Sequence, residues 1–221
     1  MKHVPYDISK LICWLFFRLG FGLEVRGQEH VPQHGAFIVA ANHASFLDPP
    51  LIGAACPRRV RFMARADLYT RAWLAAYMRS VRCISVRRGE ADLGAIRQVL
   101  QALRQGEPVA IFPEGGRQRD GQLGRAKRGV GLLAGLARMP VVPALIQGTF
   151  QAWPPGAARL SPSKIRVAFG PPIPYTDSPT SLSQSGQMAG RTSERPSRDH
   201  HEQLADAVTR EWQRLARQLN G

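Results

Sequence analysis

The stretch that decides the fold is residues 36–56, "AFIVAANHASFLDPPLIGAAC". Its first six residues are apolar, and a short run of this kind predicts a buried strand at 36–41 rather than a helix. Further on, Asp48 and Pro49 are typical of the N-cap and the first position of a helix. A strand that leads through a short turn into a helix is the repeating unit of layered α/β folds.

The same alternation of strand and helix continues along the chain. Strands are predicted at 60–64, 83–86, 109–112, 141–147 and 164–169, and helices at 92–106 and 129–138. The second of these helices contains several glycines, which predicts close packing against a neighbour. The pattern as a whole predicts a single layered α/β domain over residues 25–175, with a mixed, largely parallel sheet flanked by helices.

The amino-terminal segment, residues 1–24, is apolar on every side between Lys10 and Arg18 and contains Trp14. Its apolar run of about seven residues is too short for a bilayer, which needs about 20, and no cleavage site for a signal peptide follows it. The composition is compatible with a helix that lies in the membrane interface. Packing on the core of the domain itself is the alternative, and the two are compatible.

The carboxyl-terminal segment changes character twice. Residues 176–198 are polar and predict a disordered linker. Residues 199–221 then repeat apolar side chains at helical spacing and predict an amphipathic helix. That helix could dock on the domain, lie on a membrane or pair with a partner. The apolar positions are Leu204, Val208, Trp212, Leu215 and Leu219.

The charge balance is strongly basic, with 30 Lys+Arg against 16 Asp+Glu and a formal net charge of +14. Arginine carries most of the excess, and residues 58–88 hold nine arginines against one acid. Such a charge indicates nucleic acid, an anionic membrane surface or a phosphorylated small molecule as partner. Three widely spaced cysteines form neither a disulfide framework nor a metal-ligand pattern, so a reducing compartment and no metal are expected.

His43 and Asp48 lie between the predicted strand and the predicted helix. A short turn can bring the carboxylate back onto the imidazole, at the sheet edge where α/β proteins bind ligands. An imidazole aimed by a carboxylate is suited to removing a proton from an alcohol. The alternative is a helix cap with an uninvolved histidine nearby.

A second polar cluster, "FPEGGRQRDG" at 112–121, follows the strand at 109–112. Gly115 and Gly116 allow backbone N–H groups to approach a ligand. Arg117 can bind a phosphate through two N–H groups, and Glu114 is interpreted as an orienting partner for the arginines. A loop with solvated charges is the alternative.

Four motifs in this order carry a family resemblance: "NHASFLD", "CISVRRG", "FPEGGR" and "VPALIQGT". Over residues 11–174 the chain resembles the glycerolipid acyltransferases, in particular the 1-acylglycerol-3-phosphate acyltransferases. The resemblance implies that His43 is the general base and Asp48 its orienting partner. It also implies that residues 142–149, with Pro143, line the acyl-donor side. The implied phosphate-binding residues are Arg88, Glu114, Gly115 and Arg117, and Gly116 and Lys127 are further candidate substrate-binding residues.

The activity implied by the resemblance is transfer of a fatty acyl group to the hydroxyl of 1-acylglycerol 3-phosphate, which gives phosphatidic acid. Acyl-CoA or acyl carrier protein would supply the acyl group as co-substrate, with no further cofactor. The expected location is peripheral, on the cytoplasmic face of the inner membrane. Three alternatives remain: an acceptor that is another lysophospholipid or a lyso-ornithine lipid, a basic nucleic-acid-binding protein, and a lipid-binding protein of the same fold without turnover. The second lacks a recognisable binding motif.

The chain departs from the family pattern at several positions. Gly116 and Gln118 stand where the family has hydroxyl residues, Arg87 where an Asp is common, and Arg82 where a small residue is usual. The pair His43 and Asp48 is intact. The departures therefore predict an atypical acceptor pocket rather than a different reaction.

Overall fold

The computed structural model describes residues 4–86, 92–175 and 198–220. Its helices are α1 (Val4–Phe21), α2 (Asp48–Ala55), α3 (Ala72–Ser80), α4 (Leu93–Arg104), α5 (Gly129–Ala137), α6 (Thr149–Ala152) and α7 (Arg198–Asn220). Its strands are β1 (Glu24–Arg26), β2 (Ile38–Ala41), β3 (Arg61–Arg65), β4 (Ile84–Val86), β5 (Val109–Ile111), β6 (Val141–Gln147) and β7 (Arg166–Phe169). Short 3₁₀ turns lie at Gln28–His30 and Ala66–Thr70.

The strands form one seven-stranded sheet in the order β1-β7-β6-β2-β5-β3-β4. Neighbouring strands are parallel except β6 and β7, which are antiparallel. β2 lies between β5 and β6 and is buried along its whole length, which explains its continuous apolar sequence. The predicted α/β class, with a mixed and largely parallel sheet flanked by helices, is confirmed.

Each face of the sheet is covered by its own helices because successive side chains of a strand point to opposite faces. Ile38 and Ala40 of β2 pack on one face, in a core shared with α4, α5 and α7. Val39 and Ala41 pack on the other, with α1 and α2. The central strands therefore lie in the middle of three layers.

The carboxyl-terminal helix α7 docks on the domain. All five apolar positions predicted for it are buried, and the indole N–H of Trp212 donates to the carbonyl of Ala40 in β2 at 3.0 Å. α7 also lies so close to α5 that a Cβ added to Gly131 would come 2.2 Å from the carbonyl oxygen of His201. The close packing predicted from the glycines of α5 is thus confirmed.

The amino-terminal helix α1 is longer than its apolar centre, and it packs on the core of the domain, whereas its position in a membrane interface stays a prediction. One side packs against α2 and buries Phe17 and Phe21. The other side leaves many apolar side chains exposed, namely Val4, Ile8, Leu11, Ile12, Trp14, Leu15, Phe16 and Leu19. In the part of the chain that the structure describes, no helix has both the length and the apolar character needed to cross a membrane.

Some local expectations differ from the structure. Leu47, rather than Asp48, is the N-cap of α2, because the Asp48 carboxylate accepts from the N–H groups of Ala44 and Ser45 in the preceding turn instead. The short strand β1 and helix α3 were not predicted. The linker predicted at 176–198 falls almost wholly outside the described residues, and its boundaries stay a prediction.

Candidate functional site

The site lies at the edge where the parallel strands β2, β5 and β6 end. His43 follows β2, and the loop at 112–118 follows β5, which is hydrogen-bonded to β2. Loops after adjacent parallel strands meet at the same edge, outside their carboxyl ends, and ligands bind there in open α/β sheets. The topology therefore brings together two motifs that are about 70 residues apart, as the contact between His43 and Glu114 demonstrates.

His43 and Asp48 are in direct contact. Nδ1 of the imidazole lies 2.8 Å from Oδ2 of the carboxylate, the Asp48 side chain is fully buried, and the His43 side chain is 17% exposed. Because a carboxylate can only accept, Nδ1 must donate, and a neutral ring then carries its lone pair on Nε2. The geometry thus prepares one ring nitrogen to take up a proton.

The carboxylate of Asp48 also organises the turn that precedes it. Its Oδ2 accepts from the backbone N–H groups of Ala44 and Ser45, each at 2.7 Å, in addition to the imidazole. The Asp48 carboxylate therefore binds backbone N–H groups of the preceding turn instead of those of its own helix. The five-residue spacing to His43 is what allows one oxygen to bind the ring and the intervening backbone.

Two side chains that sequence reasoning missed fix this turn to the rest of the sheet edge. The amide of Asn42 donates to the carbonyl of Ile146 at 3.0 Å and accepts from its N–H at 2.7 Å, so it extends the pairing of β2 with β6 by one residue. The hydroxyl of Ser45 is fully buried and donates to the carbonyl of Trp153 at 2.7 Å. The signal available in the sequence was that Asn42 and Ser45 are polar residues within an otherwise largely apolar stretch.

The loop after β5 holds His43 from the other side. Phe112 stacks on the imidazole, with ring centroids 4.3 Å apart and planes at 26°. The backbone N–H of His43 donates to Glu114 Oε2 at 3.3 Å, and the carbonyl of His43 accepts from the N–H of Gln118 at 2.9 Å. The ring is therefore restrained by Asp48, by Phe112 and by its own backbone.

Glu114 is 5% exposed, and this burial raises the pKa of its carboxyl group above the ordinary value. Hydrogen bonds from the Gln118 amide and from the backbone N–H groups of His43 and Gly124 oppose the shift without cancelling it. Gln118, a departure from the family pattern, donates to Glu114 at 3.1 Å.

The glycine-rich part of this loop borders a cluster of cations. Gly115 has a φ of 77°, which favours glycine, and a Cβ there would lie 2.8 Å from Nζ of Lys127. Around Gly116 there is open space where a side chain would stand. The guanidinium of Arg117 lies over the ring of Phe46, with Cζ 3.5 Å from the centroid. We call Gly115, Gly116, Arg117 and Lys127 the anion seat.

The structure does not bring every predicted residue to this edge. Pro143 lies within β6, paired with Ala40, and is buried in the sheet, and its role on the acyl-donor side stays a prediction. Arg88 lies outside the described residues. His43, Asp48, Glu114 and the anion seat are the predicted residues that come together.

The arginine-rich stretch begins at the opposite edge of the sheet. Arg59 and Arg61 stand at the amino end of β3, beside a cavity of about 470 Å³. Arg59 makes two hydrogen bonds of 2.7 Å to Asp7, and Arg61 binds Glu107 at 3.2 Å. These arginines are therefore committed to ion pairs within the fold, away from His43.

Comparisons with known proteins agree with the geometry. A family model described as acyltransferase matches residues 22–147. The 1-acyl-sn-glycerol-3-phosphate acyltransferase of Bacillus subtilis is 26% identical over 157 residues, which are 71% of this chain and 76% of that protein. The enzyme of the same name from Limnanthes alba is 31% identical over 179 residues, 77% of this chain but only 60% of that protein.

A solved structure is also similar over most of the chain. The crystal structure of the 1-acyl-sn-glycerophosphate acyltransferase from Thermotoga maritima matches 96% of this chain and 80% of that chain. The TM-score is 0.71 and the sequence identity 27%. The similarity extends well beyond residues 22–147, which the family model matches.

Proposed function

The chain belongs to the acyltransferase family, and from that premise we propose that it moves a fatty acyl group from an acyl thioester to the hydroxyl of 1-acylglycerol 3-phosphate. The product is phosphatidic acid. The observation that carries the proposal is the contact of His43 with Asp48 at the same sheet edge as the anion seat. An alcohol-activating base and a phosphate-binding group are what this reaction requires of a protein.

His43 acts as general base. Nε2 takes the proton of the acceptor hydroxyl while the oxygen attacks the thioester carbonyl, so that a C–O bond forms and the C–S bond then breaks. The proton passes to the departing thiolate, and no covalent enzyme intermediate forms. Asp48 keeps Nδ1 protonated and stabilises the imidazolium. General base catalysis of this kind contributes roughly 10²–10⁴-fold to the rate.

The anion seat binds the phosphate of the acceptor. Arg117 offers two parallel N–H groups and Lys127 a point charge, while the exposed backbone of Gly115 and Gly116 allows close approach. Arg88 belongs to this group on the family resemblance. Holding the phosphate fixes the glycerol hydroxyl against Nε2, and such positioning can contribute up to about 7–11 kcal/mol.

The exposed apolar side of α1 supports a position of the enzyme on a membrane. Glu24 of β1 pairs with Arg166, which pairs with Gln147 at the end of β6, so α1 ends at the edge where His43 lies. Leu19 at that end is 81% exposed. Insertion of this side into the interface brings the site to the depth at which a lysolipid presents its headgroup. On the family resemblance, the proposed position is peripheral, on the cytoplasmic face of the inner membrane, with acyl-CoA or acyl carrier protein arriving from the aqueous side.

The direct test is incubation of the purified protein with a radiolabelled acyl thioester and separate acceptors. We expect labelled phosphatidic acid from 1-acylglycerol 3-phosphate. If acyl transfer occurred only to another lysophospholipid or to a lyso-ornithine lipid, that lipid would be the acceptor instead of 1-acylglycerol 3-phosphate. Absence of transfer to any lipid, together with salt-sensitive binding to DNA, would overturn the proposal.

His43→Ala tests the assigned base in the same assay. We expect kcat to fall by at least about 10²-fold because proton removal is lost, with the unfolding midpoint nearly unchanged. His34→Ala is the matched control, since His34 lies in an exposed turn and should leave turnover intact. A His43→Ala protein that turns over at the normal rate would refute the role of His43.

A further inference from the structure

Phe46 has an unusual position for an apolar side chain. It lies in the turn between His43 and Asp48, is 55% exposed and belongs to neither hydrophobic core cluster. Its ring nevertheless has two neighbours, a cation and a second aromatic ring. Arg117 lies over one face, with Cζ 3.5 Å from the centroid, and Trp153 approaches with its ring centroid at 5.9 Å.

We propose that Phe46 is a positioning residue for the acceptor: its ring holds the guanidinium of Arg117 in the anion seat. The inference rests on the proposed function. It identifies an aromatic turn residue that makes the binding site specific for a phosphorylated acceptor. Phe46 does not touch the reacting atoms. It acts through Arg117.

The need for such a residue follows from the loop that carries Arg117. Two glycines precede Arg117, so neither of the two preceding residues has a side chain against which the arginine could pack. An arginine has many rotamers, and each one that is abandoned on binding lowers affinity. A guanidinium plane lying on an aromatic face is pre-organised, since the ring attracts the cation and leaves its N–H edge available to an anion.

Phe46 is itself held in place. Trp153, its neighbour, has its indole N–H bonded to the carbonyl of Ala157 at 2.9 Å, and its own carbonyl accepts the hydroxyl of Ser45 at 2.7 Å. The turn that carries Phe46 also carries His43. Because Phe46 and His43 belong to the same turn, the position of the Arg117 guanidinium is tied to the position of the base. This fixes the distance between the sites for the phosphate and the hydroxyl of the acceptor.

The test is a double-mutant cycle on the purified protein, assayed with a short-chain 1-acylglycerol 3-phosphate below the concentration at which it forms micelles. Phe46→Leu should raise the KM of the acceptor roughly five- to tenfold through loss of the cation–π contact, with kcat changed by less than about twofold. Phe46→Trp should restore the KM. In an Arg117→Ala background, which itself raises the KM, Phe46→Leu should add almost nothing.

The outcomes separate this role from others. An effect of Phe46→Leu that persists undiminished in the Arg117→Ala background would overturn the proposal, because Phe46 would then not act through Arg117. An effect that is seen on vesicles but absent with the dispersed acceptor would assign Phe46 to membrane contact instead, as expected for the control Leu19→Ala. Failure of the proposed function would appear earlier and differently, as a wild-type protein without acyl transfer.

Discussion

At the scale of single residues, Asp48 determines which nitrogen of His43 is available. One of its oxygens binds the ring and two backbone N–H groups, so the carboxylate cannot turn away without releasing the whole turn. The same arrangement makes the pair hard to perturb by a bound substrate. The imidazole is set before the acceptor arrives.

Glu114 makes the stability of the fold depend on pH. Its pKa is raised by burial, so the folded state keeps the proton to a higher pH than the unfolded state does, and the free energy of unfolding falls as pH rises from the ordinary carboxyl pKa through the raised one. We expect Glu114→Gln to remove this fall. Urea unfolding between pH 4 and pH 7 measures it, and parallel curves for the two proteins would contradict the expectation.

A second carboxylate provides the control for that experiment. Glu202 lies on an exposed position of α7, and Glu202→Gln also removes one potential negative charge. Its unfolding free energy should follow the wild-type pH dependence. A difference between Glu114→Gln and Glu202→Gln then isolates the effect of burial from that of net charge.

The residues that carry the chemistry of the site could be predicted from the sequence, but the residues that hold His43 and Arg117 in position could not. The spacing of His43 and Asp48 permits their contact, and Gly115 with Arg117 indicates an anion site. Phe112 and Phe46 gave no such signal, because the sequence does not show whether an aromatic residue in a loop packs in a core, stacks on an imidazole or contacts an arginine. Those roles depend on contacts between segments far apart in the chain.

At the scale of elements, α5 and α7 approach each other through glycine. Gly131→Ala should destabilise the protein by about 1–3 kcal/mol because its methyl group meets the backbone of α7. Gly129→Ala is the matched control: it lies in the same helix with nothing within 4 Å of the new methyl, and alanine favours helix over glycine. Chemical denaturation of both variants checks this, and equal midpoints would show that α7 adjusts freely.

The exposed side of α1 predicts a membrane contact that single charges should break. Leu11 is 58% exposed, so Leu11→Asp should leave folding intact and lower co-sedimentation with phospholipid vesicles severalfold, since an aspartate resists transfer into the interface. Leu136→Asp, at a half-exposed position of α5, should not. Equal loss in the two variants would argue against α1 as the contact.

Elements with a strong apolar pattern were predictable, and the others were not. β2 and β6 are buried runs that the sequence marks plainly, and the helix after Asp92 has both its cap and its amphipathic face. β1 is only three residues, Glu-Val-Arg, at the edge of the sheet. α3 buries a single alanine. With so little burial, neither element leaves a periodic pattern in the sequence.

At the scale of the whole molecule, the net charge of +14 should make membrane binding depend on salt. Each basic residue near an anionic surface contributes about 1 kcal/mol, and screening at about 1 M salt shortens the Debye length to about 3 Å. We expect vesicles with anionic lipid to release the protein as salt rises, while binding to neutral vesicles changes little. Co-sedimentation across a salt series measures this, and identical curves for the two lipids would contradict it.

The indole that joins α7 to β2 also gives the molecule an optical reporter. Trp212 is fully buried, whereas Trp14 and Trp73 are 42% and 66% exposed, and an indole shielded from water emits at shorter wavelength than one in contact with it. With the other three tryptophans replaced by phenylalanine, the emission maximum follows one event, the seating of the last helix behind the strand that leads to His43. Its red shift would reveal loosening of that helix before the sheet unfolds.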